Sequence, residues 1–250
     1  LTGLGSTETA PYAFGRMWDT ANAANIGLPP PGLDVKLVPL AEGKYEARLK
    51  GPSITPGYWR DPQLTVEAFD EDGFYRLGDA LRFDDPARPE KGLLFEGRIA
   101  EDFKLATGTW VHVGPLRAAF IARCAPYVKD VVIAGPDRDY LTALVFPDLD
   151  VCRRFASDLP ANASAADIVA HEGVRREFRD LLDSVAKAAT GSSNRVTRAM
   201  LMETPPSLDI GEATDKGSLN QRIVLKHRAA LVNELYAETP SACVIAIDEG

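Results

Sequence analysis

Apolar and polar positions alternate in short runs between Asp34 and Phe95, and turn signals containing proline or glycine separate these runs. Alternation with a period of two is the pattern of a strand that buries one face. The alternating apolar residues include Val35, Leu37, Tyr45, Ala47 and Leu49. The pattern predicts a mostly antiparallel sheet or distorted, β-barrel-like subdomain over about residues 34-96, with a short helix near residues 64–69.

After Arg98 the apolar residues recur at the three-to-four-residue spacing of amphipathic helices. This spacing predicts helices at residues 116–124, 174–185 and 219–236. Apolar runs rich in β-branched residues predict strands at residues 131–134, 141–146 and 196–202. The order is that of a compact α+β unit. We therefore predict one domain over residues 1-98 and a second over residues 99-250.

The composition is that of a folded chain without a nucleic-acid surface. Of the 250 residues, 45% are hydrophobic and 26% are charged, which is enough apolar material for the cores of two modest domains. The net charge of −8 argues against nucleic-acid binding, which needs clustered lysine and arginine. The sequence shows no secretory signal and no long apolar run, so we predict no membrane span.

Two common kinds of catalytic site are not indicated. The cysteines are widely spaced and form no CxxC pair, so neither a zinc site nor a disulfide framework is predicted, and a reducing, cytoplasmic setting fits best. His171-Glu172 begins like the zinc motif HExxH, but Arg175 stands where the second histidine is required. The serine motif GxSxG is absent from the sequence.

A segment rich in glycine and hydroxyl residues, TGLGSTET, lies near the start of the chain. Glycine allows the backbone to approach a ligand closely, and hydroxyls such as those of Ser6 and Thr7 can bind phosphate oxygens. Glu8 beside them could hold Mg²⁺, which prefers oxygen ligands and often shares them with phosphates. The same residue types also form turns and helix caps, so the segment by itself supports both interpretations.

A carboxylate and a guanidinium, Asp79 and Arg98, lie in two neighbouring apolar runs. A hairpin that joins residues 74–83 to residues 93–96 would place them side by side. A fixed carboxylate suits the two adjacent hydroxyl donors of a ribose, so this pair is a candidate ribose site. Taken singly, such side chains are more often solvated, cap a turn or form a surface ion pair.

Lys216 lies in a polar segment bracketed by glycines, GEATDKGS, that precedes the last predicted helix. A lysine on such a loop can act as a point charge for a phosphate or a carboxylate. An exposed lysine without a special role is the commoner case. The local sequence leaves both interpretations open.

Taken in order, these motifs resemble those of the adenylate-forming acyl-CoA synthetase superfamily, and most closely those of feruloyl-CoA synthases. Residues 5–8 resemble its threonine–glutamate motif, residues 75–79 its YxTGD motif, and residues 97–108 its hinge motif. The variants AEDFKLATGTWV and ATDKGSLNQR are similar to the feruloyl-CoA synthase branch. The resemblance implies an α/β and α+β fold: the end of a large AMP-binding domain, followed by a small, mobile carboxy-terminal domain.

The resemblance also implies roles for individual residues. Thr7 would contact the AMP phosphate, Glu8 would bind Mg²⁺, and Lys216 would act as the catalytic lysine of the first half-reaction. The Lys104–Gly108 loop would serve the second half-reaction. The residues implied in nucleotide binding or catalysis are Gly5, Ser6, Thr7, Glu8, Asp79, Arg98, Lys104, Gly108 and Lys216.

By this resemblance the protein would use ATP to activate a carboxylic acid, ferulate or a related hydroxycinnamate, as acyl-AMP, and transfer the acyl group to coenzyme A. The dense motif beside Leu1 predicts a carboxy-terminal fragment that is inactive in isolation. Two alternatives stay open. One is a non-catalytic remnant or interaction module, favoured by Leu4 and Ala100, which replace an aromatic residue and the hinge aspartate. The other is an adenylating domain that loads a carrier protein; the sequence sets no oligomeric state.

Overall fold

The computed structural model describes residues 2–10, 12–20 and 22–247. The chain divides into two compact units, Leu1–Ala100 and Glu101–Gly250, called unit 1 and unit 2 below. A short 3₁₀ turn, Ile99–Glu101, includes the point of division. The assignment of residues 1-98 and 99-250 to two functionally distinct domains stays a prediction.

Unit 1 is built mainly from β-strands. Its elements are β1 (Gly3–Leu4), β2 (Phe14–Gly15), β3 (Asn25–Gly27), β4 (Asp34–Pro39), β5 (Tyr45–Lys50), α1 (Pro62–Ala68), β6 (Tyr75–Phe83) and β7 (Leu93–Arg98). Strands β3 to β7 form an antiparallel sheet of five strands in the order β3-β7-β6-β5-β4. Strands β1 and β2 pair separately with each other.

The predicted antiparallel sheet and the short helix within the same region, α1 between β5 and β6, are confirmed, but the sheet is open rather than barrel-like. Strand order places β3 and β4 at its two edges within the described residues. Closure of a barrel requires the two edge strands to pair. Strand β3 has three residues and uses them, with a register shift, to pair with β7. No pairing of β3 with β4 occurs among the described residues, so the sheet stays open.

The core of unit 1 lies against the central strands of this sheet. Phe14, Leu49 and Leu81 are fully buried and belong to one apolar cluster. Burial of one face of each strand explains why apolar residues recur with a period of two in the sequence. Helix α1 begins at Pro62, and the Asp61 carboxylate accepts a hydrogen bond from the Leu64 backbone N–H (2.9 Å), as a helix cap does.

Unit 2 combines a mixed sheet with helices on both faces. Its elements are β8 (Phe103–Lys104), β9 (Trp110–Val111), α2 (Val113–Arg123), β10 (Val128–Ala134), β11 (Leu141–Pro147), α3 (Leu149–Cys152), α4 (Ala165–Ala170), α5 (Glu172–Lys187), β12 (Val196–Leu201), α6 (Gln221–His227), α7 (Ala229–Leu235) and β13 (Val244–Ala246). The sheet order is β10-β11-β12-β13, with β11 and β12 parallel and the other pairs antiparallel. Strands β8 and β9 form a small hairpin.

Two apolar clusters cover the two faces of the mixed sheet. Val131 and Ile133 of β10 join the cluster that contains α2 and α5, whereas Val132 between them joins the cluster of α6 and α7. Strand β11 is buried along its whole length because it is covered on both faces. This double burial is the reason that β11 appears in the sequence as a continuous apolar run rather than an alternating one.

The structure differs from the sequence-based elements of unit 2 at the last predicted helix and at several short elements. The last predicted helix is two helices, because Arg228 adopts φ −99° and ψ 27° between α6 and α7. The short elements were missed, since two to six residues are too few to show a period; they are β8, β9, α3, α4 and β13. The predicted strands at residues 131–134, 141–146 and 196–202 are confirmed within a few residues.

No helix in the described ranges is both long enough and apolar enough to cross a bilayer.

Candidate functional site

The candidate site residues fall into two groups, and the first group lies in unit 1 around the hairpin of β6 and β7. Asp79 is paired in register with Arg98, as the sequence predicted. The Arg98 Nε atom lies 3.0 Å from Asp79 Oδ1; the Asp79 side chain is 2% exposed and that of Arg98 is 59% exposed. The Asp79 carboxylate is therefore buried beneath the Arg98 guanidinium, which faces solvent.

The backbone around this pair departs from a regular strand. Gly78 has φ +76° and Gly97 has φ +105°, and the register of β6 on β7 shifts between Asp79 and Leu81. A positive φ in this range favours glycine, and a register shift redirects the side chains next to it. The backbone conformation therefore explains the glycine that precedes Asp79 and the glycine that precedes Arg98. It accompanies the orientation in which these two side chains contact each other.

The second part of this group is the turn that carries Glu8. Residues Thr7–Thr9 form a 3₁₀ turn in which the Ser6 backbone N–H donates to Thr9 Oγ1 (2.8 Å) and Thr9 Oγ1 donates to the Ser6 carbonyl (3.0 Å). Thr9 is buried, whereas Gly5 and Thr7 are exposed. The capping interpretation of this segment is therefore correct for Thr9, and it leaves the Thr7 side chain at the surface.

Tyr58 orients the Glu8 carboxylate by donating a hydrogen bond to Oε1 (3.1 Å). Partial burial raises the pKa of Glu8, but hydrogen bonds from the backbone, Ser6 and Tyr58, together with the charge of Arg98, outweigh burial and hold this pKa below its ordinary value. The carboxylate is therefore kept ionised. Arg98 acts electrostatically on Glu8 and pairs with Asp79, so unit 1 brings these three predicted residues into one neighbourhood.

Two tyrosines of this neighbourhood were missed as site residues by the sequence analysis. The Tyr58 and Tyr75 hydroxyl oxygens lie 3.5 Å apart. Burial, with contributions from Tyr58 and Glu8, raises the pKa of Tyr75 well above its ordinary value, so this phenol stays protonated. A signal was available for Tyr75, because it is the first of residues 75–79, which resemble the YxTGD motif.

The second group of candidate residues lies in unit 2, beginning with the hairpin of β8 and β9. Gly108 has φ +84° and closes the turn with a hydrogen bond from its N–H to the Leu105 carbonyl (2.9 Å). Leu105 is buried and anchors the turn. Lys104 is exposed, and its Nζ lies 5.0 Å from the centre of the Trp110 ring, a cation–π distance. The turn therefore presents the Lys104 side chain on a fixed backbone.

Asp102, which precedes this hairpin, is occupied as a helix cap. Its Oδ1 accepts a hydrogen bond from the Val113 backbone N–H (3.0 Å), and its Oδ2 lies 2.7 Å from His112 Nδ1. Val113 is the first residue of α2. This contact was not predicted from the sequence, because the carboxylate is eleven residues away from the backbone group that it binds.

Lys216 is exposed at the tip of a second tight turn of unit 2. The Thr214 N–H donates to the Ser218 carbonyl (2.9 Å), and the Gly217 N–H donates to the Thr214 carbonyl (2.7 Å). Gly217 has φ +78°, which favours glycine directly after the lysine. In unit 1, Glu8 lies in a 3₁₀ turn and Asp79 and Arg98 lie in paired strands. In unit 2, Lys104 lies in a short strand and Gly108 and Lys216 lie in tight turns.

Comparison with known proteins identifies the family. The family model described as "AMP-binding enzyme C-terminal domain" matches residues 103–240, which is more than half of the chain. The protein therefore belongs to this family of AMP-binding enzymes. The broader resemblance seen in the sequence, to adenylate-forming enzymes, is confirmed, whereas the feruloyl-CoA synthase branch stays a prediction.

Individual relatives extend the similarity into unit 1. A carboxylic acid reductase of Mycobacterium marinum is 30% identical over 84% of this chain and 17% of its own length. Fatty acyl-CoA synthetase A of Dictyostelium discoideum is 25% identical over 95% of this chain and 37% of its own length. The A-PCP didomain of carboxylic acid reductase from Segniliparus rugosus, solved in complex with AMP, is 26% identical with a TM-score of 0.70, over 94% of this chain and 31% of that one.

These coverages also set a limit. The chain spans between 17% and 37% of the length of these two curated relatives. It corresponds to one part of each of them. The adenylation-domain architecture of the solved neighbours confirms the predicted fold class.

Proposed function

We propose that this chain is the carboxy-terminal portion of an enzyme that activates a carboxylic acid with ATP and transfers the acyl group to a thiol. The observation that carries the proposal is the buried Asp79 carboxylate, 3.0 Å from the exposed Arg98 guanidinium and beside the ionised Glu8. A buried acceptor, a solvent-facing cation and a second carboxylate match the ribose hydroxyls, the phosphate and the counter-ion of a nucleotide. Membership of the AMP-binding family supports the same ligand.

In the first half-reaction, a carboxylate oxygen of the acid attacks the α-phosphorus of ATP. The bond from that phosphorus to the bridging oxygen breaks, and pyrophosphate leaves with the electron pair. Negative charge on the phosphoryl oxygens and the entering carboxylate opposes this step. Lys216, an exposed cation on an ordered turn, supplies a positive charge to these oxygens.

Mg²⁺ is the metal that this chemistry implies, and Glu8 fits it in one respect. The Glu8 carboxylate is oriented by Tyr58 and kept ionised, as an oxygen ligand must be. Among the described residues no group of three or more His, Cys, Asp or Glu side chains could form a metal site without help. Glu8 would therefore hold the ion together with phosphate oxygens of ATP, and the ion would supply charge neutralisation there.

In the second half-reaction, a thiol loses its proton and its sulfur attacks the acyl carbon of the adenylate. The bond between the acyl carbon and the phosphate oxygen breaks, and AMP leaves with the electron pair. We assign this step to coenzyme A, with the Lys104–Gly108 turn as the part of unit 2 that serves it. The fixed backbone of this turn and the exposed Lys104 suit contact with a polar co-substrate.

A second candidate acceptor is the pantetheine arm of a carrier protein. The observation that favours it is the 30% identity to a carboxylic acid reductase, together with the 26% identity to an A-PCP didomain of such an enzyme. The chemistry is the same, since a thiol attacks an acyl adenylate in both cases. Free coenzyme A and a carrier protein are distinguished by which of them accepts the acyl group.

The proposal for the identity of the acid rests on the sequence motifs. AEDFKLATGTWV and ATDKGSLNQR favour ferulate or a related hydroxycinnamate as the substrate. The relatives described above include a fatty acyl-CoA synthetase, so fatty acids form the natural comparison group.

Acid-dependent exchange of labelled pyrophosphate into ATP tests the proposal, because this exchange reports acyl adenylate formation without any thiol. The full-length protein that contains this chain is assayed with hydroxycinnamates, benzoates and fatty acids. We expect exchange with at least one class, and strongest exchange with hydroxycinnamates. Subsequent addition of coenzyme A or of a pantetheinylated carrier protein identifies the acceptor. Absence of exchange with every class, by protein that is folded, would favour the non-catalytic remnant.

A further inference from the structure

Residues 202–220 connect β12 to α6 and carry Lys216, and they are called the Lys216 loop below. A connection of this length usually has more than one conformation. Part of this loop is a small hairpin in which Ala213 bridges to Leu219 and the Thr214 N–H donates to the Ser218 carbonyl. The hairpin fixes the tip relative to residues 213–219, but it does not by itself fix the tip relative to the sheet.

A buried ion pair lies at the base of that hairpin. Arg228 Nε donates to Glu212 Oε1 (2.9 Å), and Arg228 Nη2 donates to Glu212 Oε2 (2.7 Å). The side chains are 12% and 2% exposed, respectively. A carboxylate and a guanidinium that meet through two parallel hydrogen bonds are held in both distance and orientation. Glu212 is therefore fixed against the junction of α6 and α7.

Arg228 also fixes the beginning of the Lys216 loop. Its Nη1 donates to the Thr204 carbonyl (3.1 Å), and its Nη2 donates to the Pro205 carbonyl (3.0 Å). Its guanidinium carbon lies 5.0 Å from the centre of the Phe146 ring, which belongs to the apolar cluster under α6 and α7. One arginine thus connects the start of the loop, the base of its hairpin and the sheet.

Glu212 completes the connection to the end of the loop. Its Oε2 accepts a hydrogen bond from the Ser207 N–H (3.0 Å), and its backbone carbonyl accepts one from the Asn220 N–H (2.8 Å). Asn220 is the cap residue of α6. Hydrogen bonds to the same ion pair therefore hold both ends of the hairpin that carries Lys216. A shift of Glu212 would move the tip of this hairpin.

We propose that Glu212 and Arg228 are positioning residues that hold the Lys216 turn in the single orientation required for the adenylate-forming step. This inference rests on the proposed function of Lys216. Among the described residues, no hydrogen bond joins the pair to Lys216 itself. The pair acts through Ser207 and Asn220, which precede and follow the hairpin. Removal of the Glu212 charge leaves a mostly buried guanidinium whose remaining hydrogen bonds go to Thr204 and Pro205 of the loop, so the loop must rearrange around it.

The test compares Glu212→Gln with Asp130→Asn in the full-length protein. Asp130 accepts a hydrogen bond from Arg117 Nη2 (2.7 Å) and ties α2 to β10, remote in sequence from the Lys216 loop. Both substitutions replace an arginine-bound carboxylate by its amide. We expect Glu212→Gln to lower kcat of acid-dependent adenylation on the order of tenfold to a hundredfold, as a misplaced catalytic group does. The KM for ATP and the rate of thioester formation from preformed acyl adenylate should stay near their wild-type values, and Asp130→Asn should leave kcat near wild type.

Arg228→Lys supplies a graded variant, since lysine keeps the charge and loses the planar fork. Its adenylation rate should fall between those of Glu212→Gln and the wild-type protein. Equal losses in adenylation and in thioester formation, or an equal loss in Asp130→Asn, would overturn the positioning role and indicate general destabilisation instead.

Hydrogen exchange at the amides of Thr214, Gly217 and Asn220 separates this inference from the proposed function. These amides are hydrogen-bonded within the loop, and we expect them to exchange faster in Glu212→Gln than in wild-type protein and Asp130→Asn. Faster exchange in a protein whose wild type forms no adenylate would overturn the proposed function and retain the loop contact. Unchanged exchange would overturn the positioning role even if the enzyme is active.

Discussion

At the scale of single residues, the arrangement of Asp79 under Arg98 gives a buried carboxylate a solvent-facing cation as its neighbour. Burial of a charged group is costly unless it is paired, and one guanidinium provides the pairing here. Glu8 is kept ionised by Tyr58 and by the charge of the same arginine. Arg98 therefore acts on two carboxylates at once, Asp79 and Glu8.

Asp79→Asn should weaken nucleotide binding. An amide keeps the shape of the side chain but replaces one acceptor by a donor, so ribose hydroxyls lose a charge-assisted partner. We expect the KM for ATP to rise about tenfold to a hundredfold, as the loss of one hydrogen bond to a charged group does. The measurement is adenylation by the full-length protein as a function of ATP concentration. Asp85→Asn, which alters an exposed pair with Arg88, is the control, and an equal rise in both variants would contradict the ribose assignment.

Lys216→Ala should slow adenylation far more than thioester formation. Removal of a positive charge that acts on developing phosphoryl charge lowers kcat of the first step on the order of a hundredfold. Preformed acyl adenylate should still react with the thiol at a rate near that of the wild type. Lys187→Ala removes a similarly exposed lysine of unit 2 and should change neither rate. Equal losses in the two steps for Lys216→Ala would argue against its proposed role.

At the scale of elements, side-chain contacts at the starts and ends of helices lie next to the two turns that carry candidate residues in unit 2. Asp102 caps α2 directly after the division between the units, and Arg228 interrupts the last helix so that its side chain can reach Glu212. Each of these contacts joins residues that are distant along the chain. Their removal should therefore be visible as changes in stability as well as in activity.

Asp102→Ala should destabilise unit 2, because the Val113 backbone N–H at the start of α2 loses its acceptor. The expected loss is about 1 kcal/mol of unfolding free energy, the usual net value of one intramolecular hydrogen bond. Chemical denaturation followed by circular dichroism measures it. Glu238→Ala, at an exposed position after α7, is the control and should change stability little. No difference between these two variants would mean that α2 does not depend on this cap.

Glu212 should make the stability of unit 2 sensitive to acid. The hydrogen bonds from Arg228 lower the pKa of Glu212 from its ordinary value of 4.5, against the effect of burial. Because the folded-state pKa is the lower one, the stabilisation is fully present above pH 4.5 and is lost as the pH falls through the folded-state pKa. Below pH 4.5 the unfolding free energy of the wild type should therefore fall more steeply than that of Glu212→Gln. Parallel pH profiles would contradict this source of acid sensitivity.

At the scale of the whole molecule, the chain comprises two units with separate cores, and each unit carries its own group of candidate residues. The proposed chemistry needs residues from both units, Asp79 and Arg98 for the nucleotide and Lys216 for catalysis. It also needs a pocket for the acid. The chain corresponds to 37% of the fatty acyl-CoA synthetase that it resembles, so we propose that the remaining parts come from further sequence.

The 250-residue chain by itself should therefore form no thioester. We expect no product from acid, ATP, Mg²⁺ and coenzyme A when this chain is purified alone, whereas the full-length protein should form it. The measurement is chromatographic detection of the acyl thioester, with circular dichroism to show that the isolated chain is folded. Product formation by the isolated chain would show that the site within these residues is sufficient.

Local spacing and short motifs predicted the β-rich first part, the α+β second part and the candidate residues. The contact between Asp79 and Arg98 was also predictable, since the two strands of a hairpin pair with each other. The open edge of the sheet, the break at Arg228 and the burial of Glu212 were not predictable in this way. They depend on how separate elements pack, as in the contact of Arg228 with Thr204, and no spacing within a single element predicts such a contact.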